Sequence, residues 1–275
     1  MLETLAWGYG LLEGPRFDAD GSLYFCDASE GGVYRRAPDG TMATIVPKRK
    51  AVGGIALHAD GGIVISGRDI SHVRGGESRV IFKCSAPSLN DIFVDAQGCL
   101  IVGTVQGAHV SRDNRVPGEC LRIDRSGKAT ELYNGILLTN GIGLSPGNTV
   151  LYHADTGGRC LIAHDYSADG KVSNKRLLVQ GEGFVPDGLA VDEAGTIWVA
   201  DLSGSQAIRG FAADGREVGR IAVPARRPTS LCFGGHDRRD MYIVTADNTD
   251  MPDRRGTIFR TRVDVPGCAV QHAAV

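Results

Sequence analysis

"EGPRFDADGSLYFCD" occupies residues 13–27, and its shape recurs through the chain. A short apolar strand runs into a glycine turn, and a second strand of aromatic and small apolar residues leads out, which is the pattern of a β-hairpin. Further copies are GGIALHADGGIVISG (53–67), NDIFVDAQGCLIVGT (90–104), NGIGLSPGNTVLYHAD (140–155) and DGLAVDEAGTIWVAD (187–201), with a looser sixth, TSLCFGGHDRRDMYIVTAD (229–247). The turn glycines 21, 61, 98, 147 and 195 lie 37 to 49 residues apart.

Each hairpin is followed by more strand-like sequence, such as GGVYRRAPDG (31–40), GECLRIDRSG (118–127) and QAIRGFAADG (206–215). Units of three or four strands cannot cover both their faces alone. Six of them packed radially can, so the expected fold is all-β, a six-bladed β-propeller forming one domain over residues 1–275. No long helical period separates the strands, which excludes a parallel α/β fold. The segment LETLAW (2–7) is free to add a strand to the last blade and close the ring.

Composition narrows the partners. Of 275 residues, 42% are hydrophobic and 23% charged, an ordinary globular balance, and the 38 glycines fit many tight turns. A formal net charge of -2 without a basic run argues against nucleic acid. The start MLETLAWGYG has no signal-peptide pattern and no segment approaches 18 apolar residues, so a cytoplasmic protein without membrane insertion is expected. The seven scattered cysteines form no C-x-x-C pair and read as reduced core residues.

Aligned on their turns, the six hairpins open with Glu13, Gly53, Asn90, Asn140, Asp187 and Thr229. Counted back from the turn glycine, the first five stand at offsets of 8, 8, 8, 7 and 8 (21 to 13, 61 to 53, 98 to 90, 147 to 140, 195 to 187). Equivalent positions of successive blades form a ring at one end of the central channel. Two carboxylates brought together there repel each other unless a positive charge lies between them. No lysine or arginine holds a ring position, so a bound cation is the expected resolution. An all-oxygen set from Glu13, Asn90, Asn140 and Asp187 suits a hard divalent ion, calcium ahead of magnesium or manganese, and an oxygen site also accepts zinc.

Other polar residues are assigned weaker roles. Asp27, Asp155, Asp201 and Asp247, which end the second strands, read as hydrogen bonders of turns. His109, in TVQGAHVSRDNRVPG (104–118), and Arg68 with Asp69, leaving the second blade, are candidate substrate contacts. His58, in a hairpin turn, reads as a surface residue away from the site. The acidic stretch 245–256 lacks EF-hand spacing and reads as a rim loop.

These residues carry a resemblance over essentially the whole chain. EGPRF with Glu13, LNDIFVDAQGCLIVGT with Asn90, LTNGIGLSPGNTVLYHADT with Asn140 and FVPDGLAVDEAGTIWVAD with Asp187 resemble the SMP-30/gluconolactonase family, which includes regucalcin and luciferin-regenerating enzyme. The resemblance implies one divalent cation, commonly calcium or zinc, on Glu13, Asn140 and Asp187. It puts Asn90 beside the ion, either ligating it or touching substrate. It also implies hydrolysis of a small lactone, with Asp187 as ligand and general base. Family relatives hydrolyse other lactones or phosphotriesters. Two routes stay open: Asp187 takes the proton of the attacking water, or it only holds the ion that acidifies that water. Ser88 stands where sugar lactonases of the family often carry arginine, and Gly107, Ala108 and His109 stand where an acidic substrate contact is expected. The metal set therefore transfers better than the sugar-binding set, which leaves open a sugar lactone, a less hydroxylated or more apolar lactone, or an ester or enol-type compound as substrate. The rival readings are a noncatalytic propeller, a binding or scaffold protein in which an ion merely ties blade entrances together, and a related hydrolase of esters or phosphotriesters.

Overall fold

The ring closes with strands from both ends of the chain. The computed structural model describes residues 1–107, 116–246 and 255–275. Strand β1 (Glu3–Tyr9) pairs antiparallel with β24 (Gly256–Arg262), the outermost of the strands that the C-terminal part adds to β22 (Pro228–Gly234) and β23 (Asp240–Thr245). LETLAW thus supplies the fourth strand of the last blade, as the sequence allows.

The other five sheets are built in chain order. Blade 1 is β2 (Leu12–Phe17), β3 (Leu23–Asp27), β4 (Gly32–Arg36) and β5 (Met42–Pro47). Blade 2 is β6 (Ile55–Leu57), β7 (Ile63–Ile65), β8 (Ile70–Arg74) and β9 (Glu77–Phe82). Blade 3 is β10 (Ser88–Val94), β11 (Leu100–Val105), β12 (Gly118–Ile123) and β13 (Ala129–Ile136). Blade 4 is β14 (Thr139–Leu144), β15 (Val150–Asp155), β16 (Cys160–Tyr166) and β17 (Val172–Gln180). Blade 5 is β18 (Pro186–Val191), β19 (Ile197–Asp201), β20 (Ala207–Phe211) and β21 (Glu217–Ala222). The all-β six-bladed propeller is therefore the observed architecture. No helix of the described residues is long and apolar enough to cross a membrane.

Burial follows position in the blade. Inner strands such as β14 and β22 are buried at every residue, because neighbouring blades cover both faces, so they lack the polar–apolar alternation of a half-exposed strand. Outer strands such as β17 alternate and face water. The core is accordingly divided into wedges between blades. One gathers Ile55, Leu57 and Ile65 of blade 2 with Cys26 and Val33 of blade 1; another sets Leu189, Val191 and Ile197 of blade 5 against Tyr152 and Leu161 of blade 4. All seven cysteines are free and five are buried.

The hairpin turns share one geometry with a shift in the fourth copy. Gly21, Gly61, Gly98 and Gly195 hold left-handed φ values of 77° to 86° and donate their amides three residues back. In the fourth copy Asn148 (φ 54°) fills this place rather than Gly147, and donates to Ser145. Asparagine tolerates the left-handed region because its short polar side chain bonds locally. Measured to Asn148, the fourth offset becomes eight (140 to 148), and five blades have one register.

The end of the channel opposite Glu13 is covered by the C-terminal segment. Gly267 pairs with Asp192 of blade 5, and Ala273 pairs with His58 of blade 2. His58 is buried under this segment, with Nε2 against the Val275 carbonyl and its ring stacked on His72 at 3.9 Å. The expectation of a surface histidine is corrected: its turn does lie far from the ring, but the tail covers it.

Candidate functional site

A repeated irregularity aims the ring residues inward. In blades 1, 3, 4 and 5 the inner strand breaks register just where the ring residue stands: between Glu13 and Arg16, Leu89 and Ile92, Thr139 and Ile142, and Pro186 and Leu189. Such bulges take residues out of the ladder and redirect their side chains, and they are common beside active sites. The bulge also brings the inner strands close together. A Cβ on Gly141 would collide with the Leu189 amide, and one on Gly53 would overlap Asn90 Oδ1. Glycine at 53 thus makes room for the Asn90 side chain.

Asn90 and Asn140 meet directly. Asn90 Nδ2 donates to the Thr139 carbonyl at 2.7 Å and to Asn140 Oδ1 at 3.1 Å. Asn140 Nδ2 donates to Thr156 Oγ1 at 2.9 Å, and Thr156 gives its own proton to the Pro186 carbonyl at 2.6 Å. Because that hydroxyl proton is committed, Thr156 accepts from Asn140, which fixes the amide orientation. Protein acceptors thus orient both amides, leaving Asn90 Oδ1 and the second lone pair of Asn140 Oδ1 as the groups available to a ligand.

The two carboxylates have the opposite circumstance. Asp187 is 2% exposed, and its Oδ1 is buried without a hydrogen-bond partner. Its carboxyl is pushed well above the ordinary range by burial first and by the charge of Asp91 second, with the Gly188 amide opposing. Glu13 is likewise raised, by burial first, then by Asp187 and Asp91, with the Gly14 amide opposing. No lysine or arginine contributes to either shift. Two anions held this way want a proton or a cation.

One layer deeper stand two residues that the register argument missed. Asp91, beside Asn90, is buried, and its Oδ1 lies 3.4 Å from Arg16 Nη2. Arg16 also donates to the Pro15 carbonyl at 2.8 Å and the Ile92 carbonyl at 2.8 Å, so it spans the channel under the ring. Burial raises the Asp91 carboxyl, and Arg16 pulls it back. The signal was present in the "ND" of LNDIFVD and the "R" of EGPRF, but strict alternation would turn Asp91 away; only the bulge brings it in. Beneath Arg16 an apolar cavity of about 70 Å³, lined by Ile92, Ile142, Leu189, Leu231 and Phe233, extends to the C-terminal segment.

The remaining candidates separate by position. Thr229 is fully buried, and its Oγ1 donates to the Leu12 carbonyl at 2.6 Å, joining blade 6 to blade 1. Asp27, Asp155 and Asp201 are turn bonders as expected: each accepts amides just ahead of its blade's inner strand, Gly10, Leu138 and Val185 respectively. Asp69 is taken by Arg49 at 2.7 Å and Ser71 at 2.5 Å, whereas Arg68 is exposed. The Gly67 carbonyl accepts the Leu89 amide at 2.7 Å in an antiparallel bridge, which sets Arg68 next to Ser88 in the adjoining blade. His109 and Asp247, with most of the 245–256 stretch, lie outside the described residues.

Among the described residues, no group of three or more histidine, cysteine, aspartate or glutamate side chains converges as an ion site. The oxygens at this mouth come from two carboxylates and two amides, and Asp91 is turned to Arg16. The orphaned Asp187 oxygen, the raised proton affinity of Glu13 and the oriented Asn140 and Asn90 oxygens fit a hard divalent cation.

The chain is similar to a 6-deoxy-6-sulfogluconolactonase of Pseudomonas putida, 31% identical over 265 residues, covering 90% of this chain and 89% of that one. Its backbone matches that of a luciferin-regenerating enzyme with a TM-score of 0.90 at 24% identity, covering 100% and 99% of the two chains. It matches a calcium-binding protein, regucalcin, from Agrobacterium tumefaciens with a TM-score of 0.86 at 22% identity over 99% and 96%. Residues 11–247 match the SMP-30/Gluconolactonase/LRE-like region, and the chain belongs to that family.

Proposed function

We propose that the protein is a divalent-cation-dependent hydrolase of a small lactone, with Glu13, Asn140 and Asp187 holding the ion and Asn90 beside it. The observation that carries this is the pair of carboxylates, partly buried Glu13 and buried Asp187, both raised by desolvation and by neighbouring carboxylates, at the blade position shared by Asn90 and Asn140, whose amides the protein already orients. Calcium is the first choice for such a set, and zinc, magnesium or manganese are alternatives. Membership of the family, and the 31% identity to a sulfogluconolactonase, support a lactone ring as the substrate.

When bound, the cation supplies Lewis acidity toward the lactone carbonyl oxygen. Asp187 accepts the proton of the attacking water, since its Oδ1 has no competing donor. Asn90, whose amide protons are engaged by Thr139 and Asn140, presents its oxygen toward a substrate hydroxyl or the ion. Arg68, exposed next to the half-buried Ser88, supplies a guanidinium for a polar or anionic substituent of the substrate. Arg16 and Asp91 close the floor, so the substrate enters from the Glu13 side.

The test is hydrolysis of aldonolactones, aliphatic lactones and phosphotriesters by chelator-stripped protein, before and after addition of each ion. Lactone opening lost on stripping and restored by a divalent ion is expected. Equal activity without any metal contradicts the reading, and so does inertness toward every lactone with an ion bound, which favours the scaffold alternative.

A further inference from the structure

His153 lies wholly buried on β15, behind the inner strand that carries Asn140. Its Nε2 is 2.7 Å from Thr139 Oγ1, and its Nδ1 is 2.7 Å from the Tyr133 hydroxyl, which reaches across from blade 3. The Tyr133 ring is held by stacking on His164, with centroids 4.0 Å apart. Thr139 fits there because position 103 on β11 is glycine; a Cβ at 103 would overlap its hydroxyl.

We propose that His153 is a positioning residue for the cation site, acting through Thr139 to hold Asn90 and Asn140 in register. The path is short. His153 clamps the Thr139 side chain; the Thr139 carbonyl receives Asn90 Nδ2 at 2.7 Å; the same nitrogen reaches Asn140 Oδ1 at 3.1 Å. The peptide between Thr139 and Asn140 therefore sets the place of both amides. Thr139, paired with Asp155, is the last ladder residue before the register break of β14, so the ladder does not hold Asn140 beyond it and the clamped Thr139 is the anchor from which Asn140 departs. Burial pushes the imidazole down to about 3, so at neutral pH it carries one N–H and one lone pair. It must donate to one hydroxyl and accept from the other, which gives the clamp a direction. The result is a pair of oxygens arranged before any ion arrives. Partners that orient ligands in this way affect metal affinity although they touch no metal.

This inference rests on the cation site proposed above, and its test separates the two. Chelator-stripped wild type, His153→Phe, His153→Gln and Thr139→Val are titrated with calcium, zinc, manganese and magnesium by calorimetry, well below their melting temperatures. With the ion that wild type binds, His153→Phe and Thr139→Val are expected to lose about tenfold or more in affinity. His153→Gln, which can still donate and accept, is expected to recover part of the loss. Thr139→Val keeps the backbone carbonyl and the core volume, so it reports even if His153→Phe fails to fold. A folded Thr139→Val or His153→Phe with a lower melting temperature but wild-type affinity overturns the positioning role. Wild type that binds none of the four ions overturns the cation site itself.

Discussion

Asp187 is the residue on which chemistry and stability pull in opposite directions. Without an ion its buried carboxylate is penalised, so its carboxyl is raised. A raised carboxyl gives its full contribution to stability below its ordinary range and loses it as pH rises through the folded-state value. Chelator-stripped protein should therefore lose melting temperature as pH rises above about 4 more steeply than Asp187→Asn, measured by calorimetry. At pH 8, Asp187→Asn should melt a few degrees higher than stripped wild type. With the cation present the order should reverse, and turnover should fall by about 10²–10⁴-fold, the usual worth of a general base. Thr229→Ala, which removes an interblade bond to Leu12, should lower the melting temperature and spare turnover. A variant Asp187→Asn that keeps wild-type turnover would remove the proton-accepting role. The common place of Glu13, Asn90, Asn140 and Asp187 at the inner-strand register breaks was legible because one position recurs in every hairpin; the pairing of Asp91 with Arg16 was not, because a bulge overrides the two-residue alternation on which strand reading depends.

At the scale of elements, the fourth hairpin turn gives the sharpest contrast. The sequence places a glycine at 147, but the left-handed conformation belongs to Asn148. Gly147 has only Thr149 Oγ1 near a would-be Cβ, at 3.8 Å. Gly147→Ala should leave the melting temperature nearly unchanged. Asn148→Val should cost about 1–2 kcal/mol, because a β-branched residue resists the left-handed region. Equal effects of the two substitutions in thermal melts would show that the turn was misassigned. Boundaries of this kind escape sequence reading because glycine and asparagine both satisfy it, and only the amide bond from Asn148 to Ser145 decides between them. The hairpins themselves were legible, since their apolar runs are buried on both faces as inner propeller strands must be.

For the whole molecule, the ring has two fastenings. Strand β1 joins the chain's two ends in blade 6, and the C-terminal segment ties blades 5 and 2 across the far mouth. The first was readable from an unassigned apolar segment before Glu13. The second was not, because Gly267 to Val275 carries no strand pattern, and its bonds go to turns distant in sequence; the burial of His58 follows from it. The far mouth being covered, the near one remains for substrate, and the whole account depends on a cation there. Crystals grown with calcium, and separately with manganese or zinc, allow anomalous difference maps to locate the ion. The account predicts one peak at the Glu13 end of the channel, with oxygens of Glu13, Asn140 and Asp187 at about 2.0–2.6 Å depending on the ion. A saturated crystal with no peak there, or with the ion bound elsewhere, would contradict it.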